Sequence, residues 1–121
     1  MDWNKIKHFD RTEFECPCCG KCVMNEIFVG RIDAARSIAD IPFRVNSGYR
    51  CAAHNEAVGG VGNSSHIAGH AVDIRCGSSM VRFKILSALI ACGFRRIGIG
   101  ENFIHVDDDT SKLEDVIWTY Y

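Results

Sequence analysis

The chain has no apolar run long enough to cross a membrane. Its longest, ILSALIAC at 85–92, falls far short of the roughly 20 residues a helical span needs. The first residues, MDWNKIKHFDRTEF, lack the apolar core of a secretory signal. The expectation is therefore synthesis and folding in the cytosol, with any work outside depending on export by something else. An excess of one charge is missing too. The formal net charge is −1 with 24% charged residues, which gives no electrostatic case for nucleic acid or anionic lipid as the main partner. Repeats, low-complexity stretches and linkers are absent. The 121 residues suit one domain, 1–121, built on a single hydrophobic core.

Cysteine, by contrast, is abundant, at seven residues. An odd, high count without a signal peptide argues against a secreted disulfide framework and toward thiols or metal. Four fall in the cysteine-rich segment 16–22, CPCCGKC: Cys16, Cys18, Cys19 and Cys22. Such spacings suit a small structural metal loop. Adjacent Cys18 and Cys19 are expected to point apart, so the segment supplies at most three ligands. Cys51 is a further ligand or disulfide partner. Cys16, Cys19, Cys22 and Cys51 are the resulting candidates for a structural metal or a disulfide, with free thiols as the remaining state. Cys76 and Cys92 read as buried small hydrophobes, and none of the seven reads as a nucleophile.

Periodicity predicts a helix over 25–40, with Asn25 as N-cap and Phe28, Ile32, Ala35 and Ala39 on one face. Pro42 stops it. Residues 43–50 read as a short strand entering a loop, and 52–62 as a short helix running into a glycine-rich loop. HAVDIR at 70–75 alternates as a strand should. A second firm helix begins near Ser79 as its cap, carries Val81, Ile85, Leu89 and Cys92 on one stripe, and ends at Gly93. RRIGIGENFIHVDDD reads as one or two strands, and DVIWTYY as a last one. Helices flanking a small, mostly antiparallel sheet make the fold α+β.

A catalytic zinc needs three protein ligands and one position left for water. His66 and Asp73 in SSHIAGHAVDI are candidates if Gly69 turns the chain between them. His105 in NFIHVDDD is the third, its ring on the same strand side as Phe103 and Asp107. His54 and His70 read as non-ligands, and His8 as a surface residue.

SGYR at 47–50, SSHIAGHAVD at 64–73 and IHVD at 104–107 stand in the order found in one family. The chain resembles the zinc D-Ala-D-Ala peptidases of bacterial cell-wall metabolism and phage lysis. That family shares its fold with lysostaphin-type peptidases and the hedgehog signalling domain. The likeness runs from about Phe9 to the C-terminus and is closest to small phage- or prophage-associated members. It implies one catalytic Zn2+ held by His66, Asp73 and His105. Arg50 would reach the substrate carbonyl or carboxylate and Ser64 would line the substrate site. Zinc polarises the scissile carbonyl and lowers the pKa of its water, and Arg50 adds fixed positive charge where an oxyanion develops. Several members carry a glutamate three residues before the last histidine. Here that residue is Asn102, whose amide takes no proton from water at neutral pH. Asp107, with Glu101 behind it, is the expected general base.

The resemblance implies a peptidase acting on peptidoglycan stem or cross-link peptides, with no nucleic-acid or membrane partner. No cell-wall-binding segment is attached, so the expected route to the wall is holin-type release or carriage in a phage particle. The competing class is a zinc-containing binding module of the same fold that has lost catalysis. A cysteine/histidine zinc nuclease is disfavoured by the neutral charge.

Overall fold

Helix α1 spans Glu26–Ala39. Asn25 stays extended, and its side chain accepts the Phe28 N–H at 3.0 Å, satisfying one of the donors a helix start leaves free. Asp40 closes the other end in the left-handed conformation, just ahead of Pro42. Helix α2, Ala52–Ala57, is short. Helix α3 spans Ser79–Ala91, and its cap is Ser78 rather than the expected Ser79. Ser78 is the residue with extended backbone, and its hydroxyl oxygen accepts the Val81 N–H at 3.2 Å. The computed structural model describes residues 1–121, and none of its helices is long and apolar enough to cross a membrane.

Five strands form one sheet: β1 Val45–Ser47, β2 Ala71–Arg75, β3 Arg96–Ile99, β4 Phe103–Asp107 and β5 Val116–Thr119, in the order β1-β2-β4-β3-β5. Every pairing is antiparallel except β3 with β5. The architecture is the expected α+β. The strand expected over 43–50 shrinks to β1 because the chain leaves the sheet at Gly48. There the Tyr49 N–H donates to the Phe14 carbonyl at 2.9 Å, at the end of a 3-10 turn over Arg11–Phe14.

Alternation along the strands gives the sheet two unlike faces. Val72 and Ile74 of β2, Ile97 of β3, and Ile104 and Val106 of β4 are buried in one apolar cluster with Phe28 and Ile32 of α1 and Ile85 and Leu89 of α3. Each such side chain contributes roughly 1.5–3 kcal/mol by leaving water. The intervening residues, Asp73, Phe103, His105 and Asp107, face the other way and line an open cleft. The helices thus hold the sheet from behind while the polar face is left for chemistry.

Candidate active site

Register brings the first pair together. Asp73 of β2 lies directly opposite His105 of β4, and the Asp73 Oδ1 to His105 Nδ1 distance is 2.9 Å. His66 arrives from the loop before β2, its Nε2 standing 3.3 Å from the same Asp73 oxygen. One donor atom from each residue lies within 4.8 Å of the others.

The return from His66 to Asp73 depends on Gly69. Its φ is +76°, and a Cβ there would lie 1.9 Å from the Val23 carbonyl oxygen, so both backbone conformation and space demand glycine.

Neither histidine is free to turn. The His66 Nδ1 meets the Gly48 carbonyl at 2.8 Å. A carbonyl only accepts, so Nδ1 carries the proton and Nε2 presents its lone pair toward Asp73. The His105 Nε2 meets Asp107 Oδ2 at 2.7 Å, which leaves Nδ1 to face Asp73. Two imidazole nitrogens and a carboxylate oxygen, each ring anchored through its far nitrogen, form a donor set suited to zinc. Both histidines are buried.

Charge is concentrated here. Burial works to raise the Asp73 carboxyl, but hydrogen bonds from His105 and His66 outweigh it and hold it well below the usual carboxylate range. Burial alone would lower the His105 ring, while its bonds to Asp107 and Asp73 raise it. The Asp107 carboxyl is held low against its burial by His105 and Arg96.

The triad lies in a cleft of about 410 Å³, whose lining includes Arg50, Ser64, Lys112, Trp118 and Tyr120. Arg50 donates through Nε to Ser47 Oγ at 3.0 Å and through Nη1 to Asn55 Oδ1 at 3.3 Å, and its Nη2 pairs with Asp73 Oδ2 at 3.5 Å. Ser64 is buried, its hydroxyl oxygen accepting the His66 N–H at 3.2 Å. Trp118 stacks obliquely on His105 at 5.6 Å between ring centroids. It can do so because Gly98, opposite both residues in the sheet, has no side chain. A Cβ at Gly98 would come within 2.6 Å of the Trp118 and Tyr120 rings.

Of the two carboxylates expected to take a proton, Asp107 lines the cleft beside His105 on β4, and Glu101 lies outside that lining. Asp107 is 1% exposed, and both its oxygens are engaged. Oδ2 holds His105, while Oδ1 accepts from Arg96 Nε at 2.7 Å and the Asp109 N–H at 3.1 Å. Glu101 is exposed and absent from the cleft lining, because Gly100 and the turn after β3 carry it off the strand face. His70 pairs with Asp108 at 2.6 Å, and His8 with Ser37 at 2.7 Å.

Arg96, Lys112, Trp118 and Tyr120 were not singled out in the sequence. Alternation marks Trp118 and Tyr120 as sharing one face of the last strand. That this face looks into the cleft follows from the parallel pairing with β3, which no local pattern reveals.

The cysteine segment is also rearranged. Cys16, Cys18, Cys19 and Cys51 have their sulfurs within 4.8 Å of one another. Cys22, expected among them, instead packs against the core, and Cys18 joins in its place. The tight turn through Gly20, with its N–H donating to the Cys16 carbonyl at 2.8 Å, brings adjacent Cys18 and Cys19 to the same side.

Comparison with known proteins places this geometry in context. The chain is similar to a zinc D-Ala-D-Ala carboxypeptidase of Streptomyces albus G, 45% identical over 42 residues. That stretch covers 35% of this chain and 16% of the relative's length. A family model described as Peptidase M15 matches residues 7–107. The match takes in α1–α3, β1–β4 and the whole triad, and the chain belongs to the Peptidase M15 family.

Proposed function

We propose that the protein is a zinc-dependent peptidase that hydrolyses a peptide bond in peptidoglycan stem or cross-link peptides, one involving D-alanine. The observation that carries this reading is the convergence of His66, Asp73 and His105 at the floor of an open cleft. Family membership supports the reaction class, and the relative's name supports the metal and the D-alanine linkage.

His66 Nε2, Asp73 Oδ1 and His105 Nδ1 are the atoms proposed to hold the ion. A zinc ion there supplies Lewis acidity, polarising the scissile carbonyl and making water a competent nucleophile at neutral pH. Gly48 and Asp107 anchor the two rings through their far nitrogens, so the opposite nitrogens would be held for the metal. Arg50 offers its guanidinium to the developing oxyanion or to a substrate carboxylate, held in place by Ser47 and Asn55. Trp118 and Tyr120 form an apolar wall against which a peptide side chain can lie, and Ser64 shapes the loop that presents His66. Asp107 acts through His105, as a positioning residue, instead of receiving the proton directly.

One observation favours a second reading, a metal-holding binding module without turnover. Asn102 stands where several relatives of this kind carry glutamate, and no carboxylate with a free oxygen faces the triad. Incubation of the zinc-loaded protein with a muropeptide mixture, followed by mass analysis, separates the two. New amino groups, abolished by chelation and by His66→Ala, support the peptidase. Muropeptide binding with intact zinc and no product over hours supports the module.

A further inference from the structure

Cys18 and Cys19 are exposed, so burial of apolar surface does not explain why four sulfurs gather at one point. Their spacing is informative. Cys16 and Cys18 are 3.6 Å apart, Cys16 and Cys51 3.7 Å, and Cys18 and Cys51 3.2 Å, with Cys19 within 4.8 Å of the rest. The edge of a tetrahedron of sulfurs around zinc is about 3.8 Å for a zinc–sulfur bond of about 2.3 Å. A disulfide would draw one pair to about 2.05 Å and leave the other two sulfurs without a role. An iron–sulfur cluster would need the sulfurs much farther apart.

The backbone is arranged to suit thiolates. The Cys51 N–H points at Cys16 Sγ at 3.5 Å, and the His54 N–H at Cys51 Sγ at 3.4 Å. The Cys16 N–H and the Lys21 carbonyl close the loop at 2.8 Å. Such N–H donors orient metal-bound sulfur and offset its charge.

We propose that Cys16, Cys18, Cys19 and Cys51 hold a structural zinc ion, separate from the triad, that clamps the N-terminal loop to the start of α2. Cys51 caps α2 and follows Arg50 directly, so the clamp also fixes the chain that carries the cleft arginine. The site stands independently of the peptidase reading, because it requires only the four thiols.

Metal analysis of the full chain, prepared reduced and loaded with zinc, tests this. The double variant His66→Ala, His105→Ala is expected to retain about one zinc ion per chain. Replacing that ion with cobalt(II) should give thiolate-to-metal charge-transfer absorption, lost on adding Cys16→Ser and Cys51→Ser. In the unsubstituted protein, zinc should slow the reaction of the thiols with a disulfide reagent about tenfold, and a chelator should restore it. A folded double variant that binds no zinc would overturn the proposal. So would thiols that react equally fast with and without zinc, a disulfide within the cluster after anaerobic preparation, or iron in place of zinc. The thiol measurement uses the native chain, so it decides the matter even if the variants fold poorly.

Discussion

The two nitrogens of His105 are committed to two different carboxylates: Nδ1 faces Asp73 at 2.9 Å, and Nε2 meets Asp107 at 2.7 Å. The ring is thereby fixed between the β2 partner and a residue of its own strand. Asp107 is fixed in turn by Arg96, whose guanidinium lies over Trp118 at 5.0 Å from the ring centroid. A chain of contacts therefore runs from the aromatic wall of the cleft to the proposed metal.

This relationship predicts how Asp107 variants behave. If Asp107 orients His105, Asp107→Asn weakens zinc affinity about 10- to 100-fold, and turnover returns substantially at saturating zinc. A residue that takes the proton would leave the variant inactive at full zinc occupancy. Titrating activity against zinc distinguishes the two, with Glu101→Gln in parallel expected to change neither affinity nor turnover.

Arg50 spreads its guanidinium over Ser47, Asn55 and Asp73, an arrangement a lysine cannot reproduce. If Arg50 serves the oxyanion, a role exerted mainly in the transition state, Arg50→Ala lowers kcat about 100-fold while zinc stays bound. Arg50→Lys should recover only part of the loss. Steady-state kinetics with metal content measured on the same preparation checks this, and loss of zinc from Arg50→Ala would show that its contact with Asp73 matters more.

Gly98 is required by its neighbours rather than by its backbone. Gly98→Ala pushes a methyl group into Trp118 and Tyr120, and overpacking of this kind costs about 1–3 kcal/mol. We expect a lower melting temperature, a raised KM and unchanged zinc affinity. An alanine variant with wild-type KM would remove Trp118 and Tyr120 from the substrate wall.

Asp109 ties the loop carrying His66 to the end of β4, accepting the Ser65 hydroxyl at 2.7 Å beside Lys112 at 3.8 Å. Burial works to raise its carboxyl, but the bonds from Ser111 and Ser65 and the charge of Lys112 hold it below the ordinary 3.8. A carboxylate with a depressed folded pKa stabilises fully above the unfolded value and loses that contribution as pH falls through the folded one. Asp109→Asn should therefore cost about 1–2 kcal/mol at neutral pH. The gap should close as pH drops below 3.8, which denaturant unfolding of both proteins across the acid range would reveal. A gap that persists in acid would mean that the carboxylate charge is not its source.

Local chemistry made much of this protein legible in the order of its residues. Asn25 with the apolar stripe of α1, the turn-forming Gly69 between His66 and Asp73, and the alternation in FIHVD each act over a few residues, so their spacing carries the signal. The convergence of His66, Asp73 and His105 entered through family likeness, because H-x6-D spacing by itself does not bring three side chains to a point.

Tertiary structure alone decided the rest. Asp107 shares the His105 face as the strand alternation implies, but its second partner, Arg96, comes from the neighbouring strand. Trp118 reached the cleft because β5 runs parallel to β3, a pairing set by chain crossing rather than by local pattern. Cys18 replaced Cys22 because one tight turn reversed the direction in which adjacent residues were expected to point. Short-range propensities are written residue by residue, but which donor faces which acceptor across a sheet depends on register and burial, and those exist only once the chain has folded.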